Sequence, residues 1–94
     1  MSAIADSAVP FLPRGVRLRH CEVRGAWFLL APERAVKLDA VAVHVLQALD
    51  GRRDFGGVVA HLAGLFAAPP ERIAKDAGAF LAEMVNRRMV EIRP

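Results

Sequence analysis

Few residues in this 94-residue chain could do chemistry: three histidines, one cysteine and 10 carboxylates. His20, His44 and His61 contain no i, i+4 pair, the spacing that places two imidazoles on one helix face to hold a metal. His44 and His61 also fall opposite the apolar stripes of their helices, which makes them surface residues. Cys21 follows His20 directly, but adjacent residues of a strand point to opposite faces, so thiol and imidazole are not a nucleophile and its base. The thiol reads as structural and at least half-buried. Gly56-Gly57 lacks the following Lys-Ser/Thr of a phosphate loop and reads as close helix packing. The pairs Glu71 with Asp76 and Glu83 with Glu91 belong to solvated charged faces. Trp27 lies in the most apolar run and is first a core residue. No catalytic group, metal or cofactor is expected, and the chain does not read as an enzyme.

A chain of this length is one domain. One cysteine excludes an internal disulfide framework and fits a reducing compartment. The opening "MSAIADSAVPFLP" lacks a basic start, and Asp6 breaks its apolar run, so no signal peptide is expected. No apolar run is long enough to span a bilayer. The expectation is a soluble, cytoplasmic protein without a membrane partner. The net charge is +3, but the 10 acidic residues are spread among the 13 basic ones. Arg14, Arg17, Arg19 and Arg24 form the only local basic excess, and on an amphipathic hairpin they read as a solvated face rather than a nucleic-acid site.

The elements that must position these residues follow from hydrophobic period. Residues 1–13, with Pro10 and Pro13, read as a flexible N-terminal arm that Phe11 and Leu12 tack onto the core. The domain proper is then 14–94. Val16 and Leu18 alternate with Arg17 and Arg19 as in a half-buried strand. Arg24-Gly25 makes a turn, "AWFLLA" a second strand with Trp27 and Leu29 on one face and Phe28 and Leu30 on the other, and Pro32-Glu33-Arg34 the next turn. The short run "AVKL" is the third strand. At Asp39, an N-cap, the period becomes helical, with Ala42, Val45, Leu46 and Leu49 on one face and Gly51 as the stop. Asp54 caps a second helix with Phe55, Val58, Val59, Leu62 and Phe66 inward. Pro69-Pro70 starts a third, whose stripe is Ile73, Ala77, Phe80, Leu81 and Met84. "MVEI" reads as a terminal strand. The fold class is α+β, a winged-helix-like module of a three-stranded antiparallel meander followed by three helices.

The runs "RGVRLRHCEVRGAWFLLAPERAVKLD", "VLQALDGRRDFGGVVAHLA" and "APPERIAKDAGAFLAEMVNRRMVE" resemble the PqqD family, small peptide-binding proteins of pyrroloquinoline quinone biosynthesis. The resemblance spans residues 10–92. It implies a peptide chaperone that binds the ribosomal precursor peptide PqqA and presents it to the radical SAM enzyme PqqE, which cross-links a glutamate and a tyrosine in it. The same module serves as a leader-peptide recognition element, in which the leader adds as a strand to the third strand and packs against the third helix. Carried onto this chain, the docking strand is Ala35, Val36, Lys37 and Leu38. The helical wall is Ala77, Phe80, Leu81 and Met84, with Lys75 and Arg87 for acidic leader residues. The chain departs from the family's look at Gly78 and Ala79, where bulkier residues are expected in the wall. Which alternate pair of the docking strand, Ala35 with Lys37 or Val36 with Leu38, turns its backbone to the leader stays open.

A presenter must also touch its client enzyme, and by elimination Arg17, Arg19 and Arg52 fall to that surface. The short turn before an open edge strand is a setting in which strands exchange between chains, so a strand-exchanged homodimer is compatible with the pattern. The competing reading is a winged-helix DNA-binding protein, which shares the basic charge and the element types. Against it, the strands precede all three helices, and the third helix carries Glu71, Asp76 and Glu83 among its basic residues. A small enzyme of the same pathway is a third reading, without a reactive group to support it.

Overall fold

The computed structural model describes residues 4–94. Its elements run β1 (Val9–Phe11), β2 (Arg17–Cys21), β3 (Ala26–Ala31), β4 (Arg34–Leu38), α1 (Ala40–Gln47), α2 (Phe55–Phe66), α3 (Pro70–Asn86) and β5 (Glu91–Arg93). β2, β3 and β4 form the expected antiparallel meander, in that order, and "RAVKL" is its third strand. β1 and β5 pair antiparallel as a separate ribbon.

Leu29 and Leu38 are buried, and Leu18, Trp27 and Val36 pack beside them, which identifies the sheet face turned to the helices. One core joins these residues to Ala42, Val45 and Leu46 of α1, Phe55, Val58 and Leu62 of α2, and Ala77, Leu81 and Met84 of α3. Period two in the strands and period 3.6 in the helices thus converge on one core, with no polar residue buried in it among those described.

Helix starts follow the expected chemistry. Asp39 Oδ1 accepts from the Ala42 amide at 2.8 Å, Asp54 Oδ1 from the Gly57 amide at 2.8 Å, and Pro70 occupies the first turn of α3. α1, however, ends at Gln47 and not at Gly51. The intervening loop has its own cap, because Asp50 Oδ1 accepts the amides of Arg53 at 2.7 Å and Arg52 at 2.9 Å. Those two bonds, the Arg53 one foremost, lower the Asp50 pKa. Its contribution to the loop is therefore present above the ordinary carboxylate range and lost as pH falls through the depressed value.

The expected flexible arm is instead a packed segment wherever it is described; residues 1–3 lie outside the described residues. Ile4, Ala8 and Pro10 are buried, and β1 is locked to β5. The arm also completes α2. The first amides of a helix lack intrahelical acceptors, and here Phe55 donates to the Ala8 carbonyl at 2.7 Å and Gly56 to that of Asp6 at 2.9 Å. A Cβ on Gly57 would meet Arg53 Cγ at 2.7 Å, so this glycine leaves room for the side chain that reaches the Ala48 carbonyl.

α2 and α3 both end in left-handed residues that are not glycine, Ala67 at φ 51° and Arg88 at φ 62°. In each, the amide one residue further on reaches back to a carbonyl of the last turn, Ala68 to Ala63 and Met89 to Met84, as in a Schellman cap. A Cβ in this conformation costs about 1 kcal/mol or somewhat more, which glycine avoids. Ala67→Gly and Arg88→Gly are each expected to raise stability by about 1 kcal/mol in urea unfolding, with unchanged m-value.

Candidate functional site

Among the described residues β4 has β3 on one side only, and a groove of about 420 Å³ lies between it and α3. β4 contributes Val36, Lys37 and Leu38, and α3 contributes Asp76, Ala77, Phe80, Glu83 and Met84, a stripe at three- and four-residue spacing that its C-cap residue Arg87 continues. The start of α1 closes the groove with Val41, Ala42 and Val45. Val41 is 55% exposed, a valine left in water by the fold. An adjoining hollow extends the groove past the start of β4, between Arg34, Ala35 and Val36 on one side and Arg87 and Met89 on the other.

The hairpin geometry decides which backbone groups of β4 face this groove. Ala31 pairs with Arg34 across the two-residue loop Pro32-Glu33. A pair that closes such a loop exchanges its hydrogen bonds, and along an antiparallel ladder bonded and non-bonded pairs alternate. Arg34, Val36 and Leu38 therefore spend their amides and carbonyls on Ala31, Leu29 and Trp27. Ala35 and Lys37 turn theirs to the open edge.

The polar rim is mixed. Arg87 is set among Asp39, Asp76 and Glu83 and pairs with Glu83 at 3.5 Å across one helical turn, whereas Lys37, in register with Phe28, shares the outer face of the sheet. The groove can hold an extended, apolar segment, with backbone partners on one wall and side-chain contacts on the other. It brings together no nucleophile and base, and no group of three or more His, Cys, Asp or Glu suited to a metal occurs among the described residues.

Of the residues carried over from the resemblance, Val36, Lys37, Leu38, Ala77, Phe80, Met84 and Arg87 line the groove, and Ala35 lines its extension. Leu81 does not: at 0% exposure it belongs to the core. Lys75 precedes Asp76 on α3, about 100° away around the helix, and lies off the groove stripe. Gly78, buried, and Ala79, exposed, are off it too, so the wall is not built from the small residues. Arg17 and Arg19 share the outer face of the sheet, whereas Arg52 sits in the α1–α2 loop, whose Gly51 carbonyl is bonded by Arg93 of the other ribbon. The sequence reading missed Val41, Asp39, Asp76 and Glu83. The signal for Val41 was legible, since "AVAV" opens α1 with apolar residues on every side.

The remaining candidates stay apart. His20 stacks obliquely on Trp27 with centroids 5.0 Å apart, His44 meets the edge of Phe66 at 5.3 Å, and His61 is exposed. Cys21 is half-buried on the face opposite His20. No helix among the described residues is long and apolar enough to cross a membrane.

Residues 26–90 match the family model of coenzyme PQQ synthesis protein D (PqqD). The PqqA binding protein of Rhizobium meliloti (strain 1021) is 49% identical over 89 residues, covering 95% of this chain and 91% of the relative. The bifunctional coenzyme PQQ synthesis protein C/D of Methylorubrum extorquens is 43% identical over 90 residues, 96% of this chain but 24% of that longer protein. Among solved structures, the NMR structure of the PqqD truncation of Methylobacterium extorquens PqqCD superposes with a TM-score of 0.81 at 43% identity, covering 96% of each chain. That truncation is described as a functional, stand-alone recognition element for ribosomally synthesized, post-translationally modified peptides. The crystal structure of PqqD from Xanthomonas campestris gives 0.58 at 36% identity, covering 93% of this chain and 97% of that one.

Proposed function

This chain belongs to the PqqD family, and on that premise we propose that it is a peptide chaperone, which binds the precursor peptide PqqA in the β4–α3 groove and presents it to the radical SAM enzyme PqqE. The observation that carries the reading is the coincidence of an unpaired strand edge with an apolar helical wall. Such an edge accepts an extended peptide as a further strand: main-chain bonds supply affinity, and pockets for alternate side chains supply selectivity. The names of the relatives agree, because PqqA binding proteins cover nearly the whole chain.

In this role the protein positions a substrate and transforms nothing, and its place is the cytoplasm, where a precursor peptide is made. Titration with PqqA is the direct test, and saturable one-to-one binding is the expected result. Incubation with PqqA and S-adenosylmethionine in the absence of PqqE is expected to leave the peptide mass unchanged. A cross-linked product in that mixture would show that the chain is itself an enzyme.

The open β4 edge also supports strand exchange between two copies, with the Pro32-Glu33 loop as the hinge. Exchange re-forms the β3–β4 ladder between chains and leaves the outer edge of β4 open, so PqqA is expected to bind each protomer without dissociating such a dimer, which light scattering with and without PqqA would detect.

A further inference from the structure

The outer face of the meander carries a second hollow. Cross-strand partners share a face, so Arg17 stands beside Leu30 and Ala35, and Arg19 beside Phe28 and Lys37. Phe28 and Leu30 are half-buried and floor a hollow of about 290 Å³, which Arg19, Arg24 and Cys21 flank. No helix residue lines it. The rim carries four cations, and neither the strand face nor the hollow's lining includes a carboxylate.

We infer that this face docks an acidic protein surface, that of the enzyme acting on the peptide, and that the bound peptide completes the docking site. The inference rests on strand addition at β4. A strand added there continues the pleat, and its alternate side chains stand next to Ala35 and Lys37 on the outer face while the others enter the groove. Three strands of about five residues make a narrow face, roughly 10 Å by 16 Å between the outer strands. A fourth strand widens it, so the partner favours the loaded protein over the empty one.

The chemistry selects the occupant. A second copy of this chain would bring Arg17, Arg19 and Lys37 against their own equivalents, a repulsive pairing. Single-stranded nucleic acid would use aromatic platforms for successive bases, and this floor has one aromatic ring among aliphatic groups. A carboxylate-rimmed protein patch with an apolar centre matches both floor and rim.

Cys21 is the only cysteine in the chain and lies in this hollow, so its alkylation reports whether the face is covered. The test measures maleimide addition to the intact chain by mass spectrometry, alone, with PqqA, with PqqE, with both, and with a single-stranded oligonucleotide. The expected result is strong protection with both proteins and little with PqqE alone. In parallel, the Arg17→Glu/Arg19→Glu variant is expected to weaken capture of PqqE by about tenfold or more at unchanged PqqA affinity. Unaltered PqqE capture by this variant, or a Cys21 that stays reactive in a ternary complex shown to form, overturns the inference and leaves peptide binding standing. Failure to bind PqqA at all overturns the proposed function and this inference with it. Protection by a single-stranded oligonucleotide instead of PqqE overturns it in favour of nucleic acid.

Discussion

Phe80→Asp is expected to weaken PqqA binding by about 30-fold or more, the loss of about 2 kcal/mol typical of a central contact residue, whereas Leu81→Ala leaves affinity nearly unchanged and destabilises the fold. The two residues are neighbours on α3, yet the helix turns them to different surroundings. Phe80 is half-buried and faces the groove, while Leu81 is fully enclosed among Leu29, Leu62 and the rest of the core. A carboxylate at position 80 must be desolvated when an apolar peptide side chain arrives, and Asp76 and Glu83 on the same stripe add like-charge repulsion. Truncating Leu81 removes buried contacts and leaves a cavity, which costs about 2–5 kcal/mol of stability. Because Phe80 also touches the core, Phe80→Ala separates the two effects: it retains the fold in urea unfolding and still loses most of the peptide contact. Equal affinity losses for Phe80→Ala and Leu81→Ala would remove Phe80 from the binding wall.

That neighbouring residues divide in this way marks the limit of what the sequence discloses. The stripe Ile73, Ala77, Phe80, Leu81 and Met84 is visible from its period, because any amphipathic helix must bury such a stripe. Its division between core and groove depends on where α3 sits against β4, which period does not encode. The same phase places Asp76 rather than Lys75 at the groove. Asp39, Asp54 and the Trp27/Leu29 alternation were legible because capping and pleating are local. β1 was not, since Val9-Pro10-Phe11 is three residues long, contains a proline and pairs with the far end of the chain. The helix ends at Ala67 and Arg88 were hidden for a related reason. The left-handed turn is imposed by the packing that follows, and neither residue announces it as glycine would.

The last expectation concerns why "RAVKL" has one strand partner among the described residues. Ala35→Pro and Val36→Pro are expected to have opposite consequences, although both remove a single amide from the same strand. Val36 pairs with Leu29 within the sheet, so proline there breaks the ladder and destabilises the fold. Ala35 directs its amide to the open edge, the one setting in which proline is compatible with a strand, so the fold survives. What it loses is a donor for the arriving peptide, an expected weakening of about 1 kcal/mol, or roughly fivefold. The peptide gives the complementary reading. N-methylation of PqqA one residue at a time is expected to weaken binding at alternate positions only, because successive amides of a strand face opposite edges. A helix docked in the groove would use no amide of β4, and then neither Ala35→Pro nor any single N-methyl group would show the alternation. Strand addition requires both patterns at once, with the β4 register fixed at Ala35 and Lys37, and so the short strand is read as one side of a pairing whose other side is the peptide.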